Sequence, residues 1–289
     1  MSEPERHHYL PVFYLKHWSA LDGRVVRFYR PHDQVVASAI SPKNTGYEVG
    51  LYSLEGYGPQ QRNLIEKVFM APTVDDPAAV VVQHFIDRRS NTELTLPMRQ
   101  AWVRFLMSMH VRNPGRILDI TRGAAEALRQ TLLARPEEYA AVRRAEDPET
   151  LLGWVERYAP AMFENYGKQI LPGIITHQTI GNEILRMHWG VLGFSGALPD
   201  VLTCDRPLYM SHGIADPMCV IALPLSSRAV FFASRSQESL DAIIAAEGDA
   251  ILRSVNDIMI AQAERYVYGA HERHLDFVAQ RLPLRKGAA

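Results

Sequence analysis

Cysteine is scarce in this chain: 289 residues carry two, Cys204 and Cys219. Two thiols do not make the disulfide framework of a small secreted domain, and with no Cys-x-x-Cys pair a finger-type zinc site has no ligands. Charge of one sign is not in excess either. Lys and Arg number 31 against 32 Asp and Glu, a net charge of −1. Non-specific nucleic-acid binding needs a basic face that displaces counterions, and nothing global supplies one. Long apolar runs are missing. The longest, such as 78–82 and 219–225, are far shorter than the about 20 residues that span a bilayer. Met1 to Arg6 is polar and charged, with no signal-peptide core behind it. These absences lead to the expectation of a soluble, cytoplasmic protein with no membrane partner.

The common catalytic fingerprints are absent too. There is no GxGxxG or GxxxxGK[ST] for a nucleotide, no GxSxG nucleophile elbow and no HExxH zinc helix. His271-Glu272-Arg273-His274 is one residue short of that last pattern. Its two histidines, three apart, could share a helix face. A polar, solvated helix end is the reading preferred over a metal site.

What is present is ordinary globular composition, 47% hydrophobic and 22% charged, in a chain long enough to bury a sizeable core. Residues 9–54 look β-rich: 24–30 has strand propensity after the turn residue Gly23, 34–38 is a return partner, and 47–54 is a third extended piece. From 61 the spacing turns helical. Asp75-Asp76-Pro77 marks a helix start. Leu96 to Val111 places Trp102, Phe105, Leu106 and Met109 on one face before Asn113-Pro114-Gly115 interrupts it. A helix then runs to about 134, shorter ones follow at 136–145 and 148–158, and a long one over 160–186 breaks near Pro172-Gly173. Strand-like runs return at 189–194, 201–203, 218–223 and 229–233, followed by helices at 236–246 and 249–268 and a tail from Pro283 expected to fray. The order predicts an α+β fold, predominantly helical, with a small mixed or antiparallel sheet built from N-terminal (9–54) and C-terminal (189–233) strands. A single domain over 1–289 is expected, β-rich at 1–60, helical at 61–188, β-rich at 189–234 and helical at 235–282.

Several blocks resemble one family. His7-His8-Tyr9, Pro11 and Phe13-Tyr14-Leu15 match its opening signature, and Pro42-Lys43-Asn44, Tyr47-Glu48 and Leu51-Tyr52 its next block. Arg112-Asn113-Pro114, Thr203-Cys204-Asp205-Arg206-Pro207, Pro224-Leu225-Ser226 and Asn256 follow in order. The chain is thereby similar to the mainly bacterial domain-of-unknown-function family 4238, along nearly its whole length. Cys204 stands where the family usually has Ser, so no hydroxyl is available there. The resemblance implies candidate positions, among them Asn44, Arg206 and Asn256 for substrate, and no activity.

The candidates carry two readings each. His7 and His8 are adjacent on an extended segment and so point to opposite sides, which argues against one shared metal. One serves as ligand or general acid/base and the other as anchor, or both plug the N-terminal segment into the body of the protein. Asp205, at a strand end, is a base or metal ligand, or it shapes an Asx turn. Arg112 holds an anion bidentately, or makes an interior salt bridge to Asp205 or Glu48. Asn256 bonds a substrate or caps another segment's backbone. Glu66 and Glu183 read as solvated helix faces. The aromatic group around Tyr9, Trp18 and Phe28 reads as core rather than a base-stacking platform. Two functions follow. One is a hydrolase acting on a small anionic, phosphoester-like substrate, with His7 or His8, Asp205 and Arg112 catalytic and a divalent metal as the cofactor the chemistry would admit. The other is a non-catalytic ligand-binding or interaction protein in which the same cluster is structural.

Overall fold

The structure, a computed structural model, describes residues 5–283; the polar leader 1–4 and the tail 284–289 lie outside the described residues. Among the described residues, ten short strands form three antiparallel assemblies. β1 (Arg6–His8) pairs with β4 (Tyr47–Val49). A four-stranded sheet runs in the order β3 (Val36–Ile40), β2 (Val25–Tyr29), β10 (Val267–Gly269), β6 (Thr203–Cys204). A second runs β5 (His188–Gly193), β9 (Ala229–Ser234), β8 (Val220–Ser226), β7 (Tyr209–Met210). The first sheet joins the N-terminal β2 and β3 to β6, but only through β10, which lies in a stretch expected to be helical, and the other strands of the 189–233 region form a sheet of their own. The main helices are α1 (Asp76–Arg88), α2 (Leu96–Val111), α3 (Pro114–Leu133), α4 (Ala161–Gln169), α5 (Gln178–Arg186), α6 (Gln237–Ala245) and α7 (Gly248–Gln262). The fold is α+β and mostly helical. No helix among the described residues is long and apolar enough to cross a membrane.

α2 is the spine. The Thr95 hydroxyl accepts from Met98 N–H at its start, with Pro97 in the first turn. At its end Pro114 disfavours helical backbone in the residue before it, and Asn113 is extended, its side chain accepting from Gly115 N–H to start α3. Trp102 and Phe105 bury against Phe85 of α1 and Phe231 of β9, with ring centroids 5.1–5.5 Å apart along the chain of contacts. Arg112, at the end of this apolar helix, is carried into the interior with it and is 1% exposed.

Three elements differ from the sequence reading. Residues 12–18 are helical rather than strand: Pro11 presets the backbone, and Tyr14, Leu15 and Trp18 then fall on one buried side. Residues 65–75 form a π-helix, which buries Ile65, Met70 and Val74 and leaves Leu64 and Val68 outside. The helix expected over 249–268 stops at Gln262 and the chain turns into β10. The cause is distant in sequence. The Asp205 carboxylate collects the backbone N–H groups of Glu264, Arg265 and Tyr266 at 2.7, 2.5 and 3.1 Å, holding the bend open for a strand.

Candidate functional site

The alternation of β1 sends its two histidines apart. His7 turns inward, stacks on Tyr52 with centroids 5.5 Å apart and accepts the Tyr52 backbone N–H on Nδ1 at 2.9 Å. Its proton therefore sits on Nε2. His8 turns the other way, toward Tyr47, and its Nε2 faces the Lys43 carbonyl at 3.3 Å. A carbonyl only accepts, so Nε2 is the protonated nitrogen and Nδ1 keeps the lone pair. Burial lowers the pKa of both rings, so both stay neutral.

Behind them lies Arg112. Its two Nη atoms clasp Asp75 at 2.8 and 3.2 Å, so its ion-pair partner is Asp75 and not Asp205 or Glu48. Burial works against the guanidinium charge, and Asp75 together with Tyr52 more than restores it. Glu66, in the first turn of the π-helix, is not a solvated-face residue. Its Oε2 is buried, and burial pushes the carboxyl up to about 7, opposed by Arg112 and assisted by Asp75. His8 feels the same Arg112–Asp75 pair. Four buried polar atoms here lack a protein partner of good geometry: Tyr52 Oη, Asn63 Nδ2, Glu66 Oε2 and Arg112 Nε. The Tyr52 hydroxyl lies against the Arg112 guanidinium without completing a well-angled bond. Around the centre the scaffold is satisfied: Asn63 Oδ1 accepts from Ser53, and Lys168 of α4 donates to the Ser53 carbonyl and to Glu164. Exposed Arg6, Lys43 and Arg62 lie around the two histidines together with the exposed Glu5, and these three cations form no ion pair among the described residues. Asn44 is also at this lip, accepting from Arg6 at 3.0 Å.

The other sequence candidates lie elsewhere. Among the described residues no hydrogen bond or ion pair joins Asp205 to His7, His8 or Arg112. Asp205 is filled by its three backbone donors; burial moves its carboxyl up to about 6 against their pull. Arg206 pairs with Glu264 at 3.1 Å. Asn256 caps a backbone, accepting from Leu202 N–H at 2.7 Å and donating to the Asp200 carbonyl at 3.0 Å. Glu183 is drawn into pairs with Arg186 and Arg235. His274 is not on a solvated helix end: it is buried beside Asp200 at 3.1 Å, where Arg228 and Arg273 also converge at 2.6 and 2.7 Å. Desolvation would raise Asp200, but the bonds from His274 and Arg273 and the charge of Arg228 hold it down to about 2.

Among the described residues no three His, Cys, Asp or Glu side chains converge as a metal ion would need. The donor set around Arg112 does not fit one either, because a fixed cation already occupies its centre. Sequence reasoning missed Asp75, Glu66, Tyr52 and Asn63. Asp75 was visible only as a helix-start residue, and the π-helical turn that aims Glu66 inward has no local sequence signal.

The class in hand is thus an α+β protein with a buried, incompletely satisfied acid–base cluster under its N-terminal strand. The chain belongs to the family described as protein of unknown function DUF4238, matching it over residues 6–273. Comparison with curated proteins and with solved structures finds no match.

Proposed function

We propose that this protein is a hydrolase acting on a small anionic, phosphoester-like substrate at the cluster of His8, Glu66, Asp75, Tyr52 and Arg112. One observation carries the reading: the buried Arg112 Nε, Tyr52 Oη and Glu66 Oε2 meet without a protein partner of good geometry. Buried donors and acceptors are rarely left so, and a ligand's oxygens would satisfy them. The basic lip of Arg6, Lys43 and Arg62 favours an anion, with Asn44 beside it. In this reading His8 Nδ1 takes the proton of the attacking water as the new P–O bond forms. Glu66, protonated near pH 7, gives its proton to the leaving oxygen as the old bond breaks. Arg112 is held by Asp75 and presents Nε, beside the Tyr52 hydroxyl, to the developing charge. His7 fixes the Tyr52 backbone, and Asp205 anchors the bend before β10.

The alternative, a ligand-binding or interaction protein in which the cluster is structural, is favoured by one fact: both Nη atoms of Arg112 are already engaged by Asp75. The two part on one experiment. Purified protein is assayed for nitrophenol release from p-nitrophenyl phosphate and bis-p-nitrophenyl phosphate, with His8→Asn and Glu66→Gln alongside. Turnover lost at least 100-fold in both folded variants supports the hydrolase. No turnover, with melting raised by inorganic phosphate, supports the binding protein.

A further inference from the structure

We infer that a second site, on the other side of α2, binds a small amphiphilic anion: an apolar body of about six to eight carbons carrying a carboxylate head. A cavity of about 210 Å³ lies between α2, α5 and the strands β7 and β8. Its wall is aliphatic, with Leu106, Met107, Ile184, Met210 and Ile221 among the lining residues, and His110 is its one titratable group. A purely apolar cavity of about 150 Å³ already admits a benzene-sized guest. Water takes about 30 Å³ in the liquid and a methylene group occupies similar space, which sets the carbon count.

The mouth decides the head group. His110 is exposed at the last turn of α2, Arg206 stands two residues before the lining Leu208, and Arg116, in the first turn of α3, follows Gly115, which lies against the Glu264 carboxylate that Arg206 pairs with. Arg206 shares its charge with Glu264, while Arg116 forms no ion pair among the described residues. An apolar interior under a rim of basic groups fits a ligand with an apolar tail and one negative charge. The fold holds this rim in place from a distance. The Asp205 clamp fixes the bend at 264–266, whose Glu264 pairs with Arg206, and two residues beyond Arg206 Leu208 enters the cavity wall. The site is separate from the Arg112 cluster, so neither reading depends on the other.

The test is calorimetric titration of the full chain with octanoate, 1-octanol and inorganic phosphate. Octanoate should bind at least tenfold more tightly than 1-octanol, and phosphate should not displace it. Arg116→Ala, at an exposed position, should weaken octanoate about five- to tenfold and leave 1-octanol unchanged. Met210→Trp, which fills the cavity, should abolish binding of both. Absence of octanoate binding, equal affinity for octanoate and 1-octanol, displacement by phosphate, or full binding by folded Met210→Trp overturns the proposal. If Met210→Trp melts early, the Arg116→Ala comparison decides by itself.

Discussion

Glu66 and Asp75 stand nine residues apart on one π-helix and both act on Arg112. With i→i+5 bonding the helix has between four and five residues per turn, so nine residues make about two whole turns and the two carboxylates share a side. In an α-helix, at about 3.6 residues per turn, the same spacing is two and a half turns and would set them on opposite sides. The unusual helix is therefore what places two acids on one buried arginine.

Glu66 gives the first prediction, and the sign is fixed by its raised pKa. An acid held up to about 7 in the fold, from an ordinary 4.5, binds its proton more tightly folded than unfolded. Its contribution is fully present below pH 4.5 and is lost as pH rises through 7. Glu66→Gln should therefore match the wild type in urea unfolding at pH 4.5 and exceed it by about 3 kcal/mol at pH 8. Equal stability at both pH values would sink the assignment.

Asp75 neutralises an arginine that is 1% exposed. Asp75→Asn should cost about 3–5 kcal/mol, because it leaves a buried charge uncompensated. The double replacement Asp75→Leu with Arg112→Met should recover most of that loss. Thermal melts compare the three proteins. A recovered fold that has lost its chemistry would mark the pair as functional rather than structural.

Asp200 holds Arg228, Arg273 and His274 together. Its pKa is lowered to about 2, so its stabilisation is present above about pH 4 and disappears as pH falls through 2. Asp200→Asn should cost about 2–4 kcal/mol at pH 7. The gap to the wild type should close at pH 2, as read by denaturant melts at the two pH values.

Gly46 supports the strand that carries both histidines. It has φ +66, its carbonyl accepts the Leu10 N–H at 3.0 Å, and an added Cβ would sit 2.9 Å from Leu10 Cβ. Gly46→Ala should cost about 1–3 kcal/mol through backbone strain and that clash. A melting temperature unchanged within error would contradict this.

Both cysteines are fully buried, and burial pushes both thiols up. Neither should react with Ellman's reagent in the native protein, and both should react at once in denaturant. Native-state labelling of either thiol within minutes would show that its cover opens readily.

Much of the architecture could be read locally. The hairpin of β2 and β3, the span of α2 and its end at Asn113-Pro114 follow from turn residues, helical spacing and proline sterics, all acting within a few residues. So does the divergence of His7 and His8, since neighbours on a strand point apart. The opening block of residues also carried the family. The rest was set by contacts between distant parts of the chain. Asp205 turns residues 264–266 into a strand entry, Asp75 meets Arg112 across 37 positions, and His274 reaches back 74 positions to Asp200. Whether a charged side chain is solvated or buried depends on what packs over it, which local pattern does not encode. For that reason Glu66 and His274 looked like surface residues in the sequence, and only the tertiary structure made them part of the interior.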